Sequence, residues 1–254
     1  NPVIAKAHRG HPSVSKIAAE EALEAARETG MPAATIQLLH GIDRNDGEKL
    51  VADPRVGGTG FTGSEVAGKK LFNAASAAGK VIWVEMGSIN PVVLLPGALA
   101  ERSDAIAAEL TASVTGSAGQ FCTKPGLVFL VGDAAGEAFM KAATEKFAVV
   151  GPQVLLGPAG CERLCEGITA LVQAGATILT GEPVAAGPAI HVPTLLSVSG
   201  ADLIAKQDKL VVEAFGNATL LVVCSSLEEL AKALACAHGS LGASVYCAKD
   251  GRDD

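Results

Sequence analysis

Short apolar runs alternating with amphipathic stretches of helical length constrain this chain more than any other feature. Lys80-Val-Ile-Trp-Val-Glu85 is the sharpest run, and an unbroken apolar run of this kind marks a strand buried on both faces of a parallel sheet. Residues 1–5, 35–39, 126–131, 176–179, 190–197, 218–224 and 242–247 read as further strands. Helices are expected between them over residues 12–29, 64–78, 103–117 and 134–147, and again from Gly157-Pro158 and Ser226. In the first helix Ile17, Ala18, Leu23 and Ala25 should face inward and Glu20, Glu21 and Glu24 outward, while residues 41–47 read as a loop. Ser64 suits an N-cap, and Ser226-Leu-Glu-Glu229 is a capping box. Strands alternating with helices mean βαβ units, so the fold class is α/β with a mostly parallel sheet.

Composition narrows the function. A chain of 254 residues, 49% apolar and 19% charged, can bury a substantial core. With 29 glycines and only 4% aromatics, that core must be built from Val, Leu, Ile and Ala, which favours packed α/β layers over a ligand-holding barrel. A net charge of −7 argues against nucleic acid as the main partner. No apolar run approaches a membrane span, and the first ten residues, with Lys6, His8 and Arg9, hold no signal-peptide apolar region. Six cysteines in a chain of this length form no disulfide framework, and neither they nor the five histidines show metal-ligand spacing. The expectation is a reduced, cytoplasmic protein without a metal. The chain opens on a strand already under way and ends just after one, so it reads as an internal fragment of a longer protein.

Three groups of residues carry candidate chemistry. Gly58-x-Gly60-x-x-Gly63 matches the dinucleotide fingerprint as a string, but the polar stretch before it is a poor strand; a glycine-rich strand end packed on another backbone is an equal reading. Gly63-Ser64 is the firmer feature, offering backbone N–H groups and a hydroxyl at a helix N-terminus to a phosphate. Lys6 and Arg9 are cationic anchors for the same ligand or simply a solvated loop. Glu85 closes its apolar strand, where burial would lift a carboxyl toward general-base duty; a structural ion pair is the even alternative. Cys122 lies in Gly119-Gln-Phe-Cys-Thr123, a turn of poor core formers directly after a helix whose negative end would oppose ionisation. Its activation would come from Glu85, from Lys124 or from a cationic cofactor. The other five cysteines read as core, and His191 as a satisfied strand residue.

Taken in order, Phe61-Thr-Gly-Ser64, Glu85-Met-Gly-Ser-Ile-Asn-Pro91, Gly119-Gln-Phe-Cys122 and Glu213-Ala-Phe-Gly216 resemble the aldehyde dehydrogenase superfamily over essentially the whole chain. The wording is closest to the NADP-preferring branch that includes 2-oxoglutarate semialdehyde (2,5-dioxovalerate) dehydrogenases. The resemblance implies a Rossmann-like cofactor domain, present in part over residues 1–87, followed by a catalytic domain over residues 88–254. It implies that Cys122 attacks an aldehyde, that the thiohemiacetal gives up hydride to become a thioester, and that Glu85 activates the hydrolytic water. Lys6 is implied at the adenine ribose, Gly63 and Ser64 at the pyrophosphate, and Glu213 at the nicotinamide ribose with Phe215 beside it. Arg9 stands where NAD-preferring members often carry an acid, so NADP is the expected cofactor and NAD the second choice.

A small aldehyde is the implied substrate, 2-oxoglutarate semialdehyde by wording, and the full-length protein is expected to be a homodimer or homotetramer. The chain departs from the family pattern at Asn217, where proline is usual, and at Lys124. The oxyanion asparagine of the family would lie before residue 1, so weak turnover by the chain alone is also expected. The rival readings are a catalytically impaired nucleotide-binding fragment and a cofactor-independent cysteine hydrolase of thioesters or esters.

Overall fold

The structure, a computed structural model, describes residues 1–253 apart from the side chain of Arg44. It forms two compact units, one of Asn1–Met86 and one that begins at Gly87.

The first unit is made of two βαβ turns. Strand β1 (Val3–Lys6) leads through α1 (Pro12–Glu28) to β2 (Ile36–Leu39), which lies parallel to it. After α2 (Arg44–Ala52), strand β3 (Gly58–Gly63) leads through α3 (Glu65–Ala77) to its parallel partner β4 (Val81–Met86). Pro12 sits in the first turn of α1, where a missing N–H costs nothing. Helix α2 replaces most of the loop expected over residues 41–47. Asp43 caps it by accepting the Asp46 N–H at 2.7 Å, and that gain outweighs the weak helix propensity of Gly47.

In this unit one open reading closes and one expectation fails. Residues 58–63 are themselves a strand, so Gly58 and Gly60 lie within it and form no turn between strand and helix; the indole of Trp83 lies against Gly58, and the strand reading holds. Strand β4 is not buried on both faces, since Val81 is 55% and Trp83 68% exposed. It is hydrogen-bonded to β3 alone, and its outward residues meet no second layer within the unit. Similarly, α1 buries Ala26 while Ile17 stays exposed.

The second unit is a six-stranded sheet. Strand β5 (Val92–Leu94) is followed by α4 (Pro96–Thr115), β6 (Leu127–Val131) and α5 (Ala134–Ala148). Then come β7 (Gln153–Val154), α6 (Pro158–Ala174), β8 (Thr177–Thr180), β9 (Ile190–His191) and β10 (Thr194–Ser199). The short helices α7 (Gly200–Ala205) and α8 (Gln207–Leu210), strand β11 (Ala218–Cys224), α9 (Leu227–Leu234) and β12 (Ser244–Tyr246) complete it. The order is β12-β5-β6-β11-β10-β8, parallel throughout except for β8 against β10; β7 and β9 form a small antiparallel pair. Here the rule of continuous apolar runs is obeyed. Along β6, Leu127 and Phe129 pack into one core with α6, while Val128 and Leu130 pack into another with Phe139 and Phe147 of α5.

The expected strand 190–197 is split by Pro193, which donates nothing to a ladder. The expected helix start at Ser103 marks a kink at Arg102 (φ −151°) inside a helix that begins at Pro96. Strand β5 and helices α7 and α8 were not anticipated. Of the cysteines expected in the core, Cys161 and Cys224 are buried, Cys165 and Cys236 only partly, and Cys247 is exposed. No helix among the described residues is long and apolar enough to cross a membrane.

Candidate active site

In the second unit the chemistry collects at the amino ends of β6 and β11, neighbouring parallel strands in which Leu220 pairs with Leu127. Cys122 precedes one strand and Glu213 the other, so sheet register places their loops side by side. Helix α4 does not run directly into the thiol, as expected from sequence. It stops at Thr115, whose carbonyl accepts from the Gln153 side chain at 2.8 Å. Ser117, Ala118 and Gly119 then take successive left-handed conformations (φ 49°, 55° and 68°), which for non-glycine residues cost about 1–2 kcal/mol each.

Contacts on both sides hold this strained turn. The Gln120 side chain accepts the Leu156 N–H at 2.8 Å. Gly119 lies so close to the Gly216–Asn217 peptide that a Cβ there would sit 2.6 Å from the Asn217 nitrogen and nearer still to the Gly216 carbonyl. Asn90, buried and also left-handed (φ 50°), uses its whole side chain. Its amide donates to the carbonyls of Cys122 at 2.8 Å and Lys124 at 3.0 Å, and its oxygen accepts from Ser88 Oγ at 2.8 Å and the Gly242 N–H at 3.1 Å. Sequence reasoning assigned Asn90 no role; its signal was an Asn-Pro step inside the Glu85 motif.

Glu213 lies against the backbone of Gly87 and accepts the Ser88 N–H at 3.2 Å. Phe215 and Phe121 are exposed and Cys122 is half-buried. Asn217, the unexpected replacement for proline, is fully buried. It pairs with His191 Nδ1 at 2.9 Å and donates to Gln153 Oε1 at 3.0 Å and to the His191 carbonyl at 3.1 Å. It thereby ties the Glu213 loop to β7 and β9. His191 is therefore satisfied on one side only, its Nε2 having no hydrogen-bond partner, and burial holds its ring below the usual imidazole range.

In the first unit Ser64 caps α3 by accepting the Ala67 N–H at 3.4 Å. The helix entry is exposed, and first-turn N–H groups have no acceptor within their own helix, so Gly63 and Ser64 fit a phosphate. Register places Thr62 beside Glu85 and Gly63 beside Met86. Glu85 is half-buried on a cleft of about 350 Å³ with Gly60, Phe61, Thr62, Trp83 and Val84. Lys6 ends β1 of the other strand pair and Arg9 lies in the turn that follows; Arg9 is exposed and donates to the Ile42 carbonyl at 3.0 Å. Glu85 is thus grouped with Gly63 and Ser64, Lys6 with Arg9, and Cys122 with Glu213 and Phe215. Among the described residues no group of His, Cys, Asp and Glu could hold a metal ion.

Comparison with known proteins gives this arrangement a lineage. The chain is 38% identical over 253 residues to alpha-ketoglutaric semialdehyde dehydrogenase 2 of Azospirillum brasilense, covering 98% of this chain and 48% of that protein. It is 31% identical over 248 residues to alpha-ketoglutaric semialdehyde dehydrogenase of Acinetobacter baylyi, covering 96% and 46%. The chain therefore spans about half the length of these curated relatives. Succinic semialdehyde dehydrogenase from Streptococcus pyogenes, solved with NADP+, shares the fold with a TM-score of 0.79 at 23% identity, covering 98% of this chain and 55% of that one. The profile of the aldehyde dehydrogenase family matches residues 1–252, and the chain belongs to that family.

Proposed function

We propose that this chain carries the nucleophile of an NADP-linked aldehyde dehydrogenase acting on a small acidic aldehyde, with 2-oxoglutarate semialdehyde as the leading substrate. The observation that carries the reading is the packing of the Cys122 turn against the Glu213 loop, peptide to peptide at Gly119 and Gly216. Three adjacent left-handed residues and a fully used buried asparagine fix that turn, and such strain is retained where a group must be held for chemistry.

The Cys122 thiolate adds to the aldehyde carbon, and the carbonyl oxygen becomes the oxyanion of a thiohemiacetal. Loss of hydride from that carbon leaves a Cys122 thioester; bound NADP supplies the hydride acceptor. Glu85 takes a proton from water, which attacks the thioester, and the acid departs as Cys122 returns to the thiolate. Gly63 and Ser64 receive the pyrophosphate, Lys6 the adenine ribose, Glu213 the nicotinamide ribose and Phe215 the adjoining ring. Arg9, a solvent-facing cation, favours the 2′-phosphate of NADP. The substrate assignment rests on the naming of the two curated relatives.

Absorbance at 340 nm with NADP and an aldehyde panel tests the proposal. NADPH should form with 2-oxoglutarate semialdehyde and be lost in Cys122→Ala. Thioester cleavage without nucleotide would instead establish a cysteine hydrolase, and nucleotide binding without turnover an impaired fragment. Arg9→Glu should weaken NADP far more than NAD; equal losses would refute the preference.

A further inference from the structure

Lys124, two residues after the nucleophile, has no part in the chemistry above. It is buried at 4% exposure, where a long cationic side chain is rare. Its ammonium donates to the Ala218 carbonyl at 2.8 Å and to the Ala214 carbonyl at 3.2 Å, and its own carbonyl is held by Asn90 at 3.0 Å. Ala214 is the residue after Glu213, and Ala218 opens β11. One side chain of the Cys122 turn therefore grips the Glu213 loop at both ends, across the same seam where Gly119 meets Gly216.

An apolar side chain would fill this space without the desolvation that a buried charge costs. The charge adds two things that methionine would not: donors for two carbonyls, and attraction to the Glu213 carboxylate. Burial pulls the ammonium down to about 8 against the opposing attraction of the Glu213 carboxylate. Among the described residues, Glu213 is the charged group that acts on it.

We propose that Lys124 is a positioning residue that acts through Glu213, clamping the Glu213 loop to the nucleophile's turn so that the carboxylate is set for the nucleotide ribose. The proposal rests on the aldehyde dehydrogenase reading. Its distinctive consequence is that Lys124 governs nucleotide affinity and not the reactivity of the thiol.

The test is a double-mutant cycle in this protein with Lys124→Met, Glu213→Gln and their combination, reading NADPH affinity by fluorescence titration and Cys122 alkylation by iodoacetamide. Lys124→Met should weaken NADPH binding about tenfold with alkylation unchanged, and the double variant should be no weaker than the weaker single one. A purely structural lysine would give multiplying losses, or a loss of stability with NADPH affinity intact, and either result overturns the proposal. Should Lys124→Met not fold, the wild type decides: its NADPH affinity should fall as pH rises through about 8, and Glu213→Gln should flatten that fall. An unchanged slope in Glu213→Gln refutes the coupling. A wild type that binds no nicotinamide nucleotide removes the dehydrogenase reading and this proposal together, whereas nucleotide binding indifferent to Lys124→Met removes the proposal alone.

Discussion

Gly119→Ala is the substitution that tests most directly how the nucleophile is held. Gly119 has φ +68°, a region that costs a residue with a Cβ about 1–2 kcal/mol. The new methyl would also be driven into the carbonyl of Gly216 and to 2.6 Å from the Asn217 nitrogen. Both neighbours are backbone, fixed by the start of β11, so no side chain can swing away; overpacking of this kind adds about 1–3 kcal/mol. Gly79 is the matched control, with φ +66° and nothing within 4 Å of its would-be Cβ. Gly79→Ala should therefore lose only the conformational part. Urea unfolding followed by circular dichroism measures both, and fluorescence of Trp83, the single tryptophan, isolates the first unit. The expected result is a second-unit loss for Gly119→Ala of about 2–5 kcal/mol against about 1–2 for Gly79→Ala. Iodoacetamide should also react with Cys122 at an altered rate in Gly119→Ala. If the two variants agree within about 0.5 kcal/mol, the two loops do not meet through their backbones and the reasoning fails.

Asn90→Ala removes the donor to two carbonyls and the acceptor for two donors, at about 0.5–1.5 kcal/mol per bond, so a loss of roughly 2–6 kcal/mol is expected by urea titration. A change below 1 kcal/mol would mean that water replaces it. Asn217→Pro strips His191 Nδ1 of its side-chain hydrogen bond inside a buried site. The unfolding midpoint should drop, and a gain in stability would refute the role given to Asn217. Acid should also weaken the fold through His191. Because its folded pKa is depressed, the unfolded chain takes up the proton first as pH falls below 6.5, and stability present above that pH drains away until the folded ring titrates. Urea midpoints at pH 7.5 and 5.5 should differ in the wild type and converge in His191→Gln; an equal difference in both would assign the acid sensitivity to other groups.

What the residues alone determined was the α/β class and most of the element order of the second unit. Its strands are apolar on both faces and its helices carry strong caps, as with Asp133 for α5 and Ser226 for α9. Glu85 and Ser64 could also be picked out, because each sits where a regular element ends or starts, and Cys122 because its turn is made of poor core formers, whereas Glu213 was named only through the family resemblance. The same local logic misread β4, since period and hydrophobicity describe a strand's composition and not how many layers cover it. It left residues 58–63 open between a turn and a strand, because glycine spacing does not say whether the backbone turns or runs straight.

Only the tertiary structure decided what surrounds the nucleophile. Asn90, Lys124 and Asn217 lie up to 127 positions apart in sequence, yet β6 and β11 are neighbours in the sheet and bring them to one seam. The left-handed run at Ser117–Gly119 follows from the same pairing. A backbone conformation that costs free energy locally persists only because Gly216, Gln153 and Leu156, all distant in the chain, hold it in place.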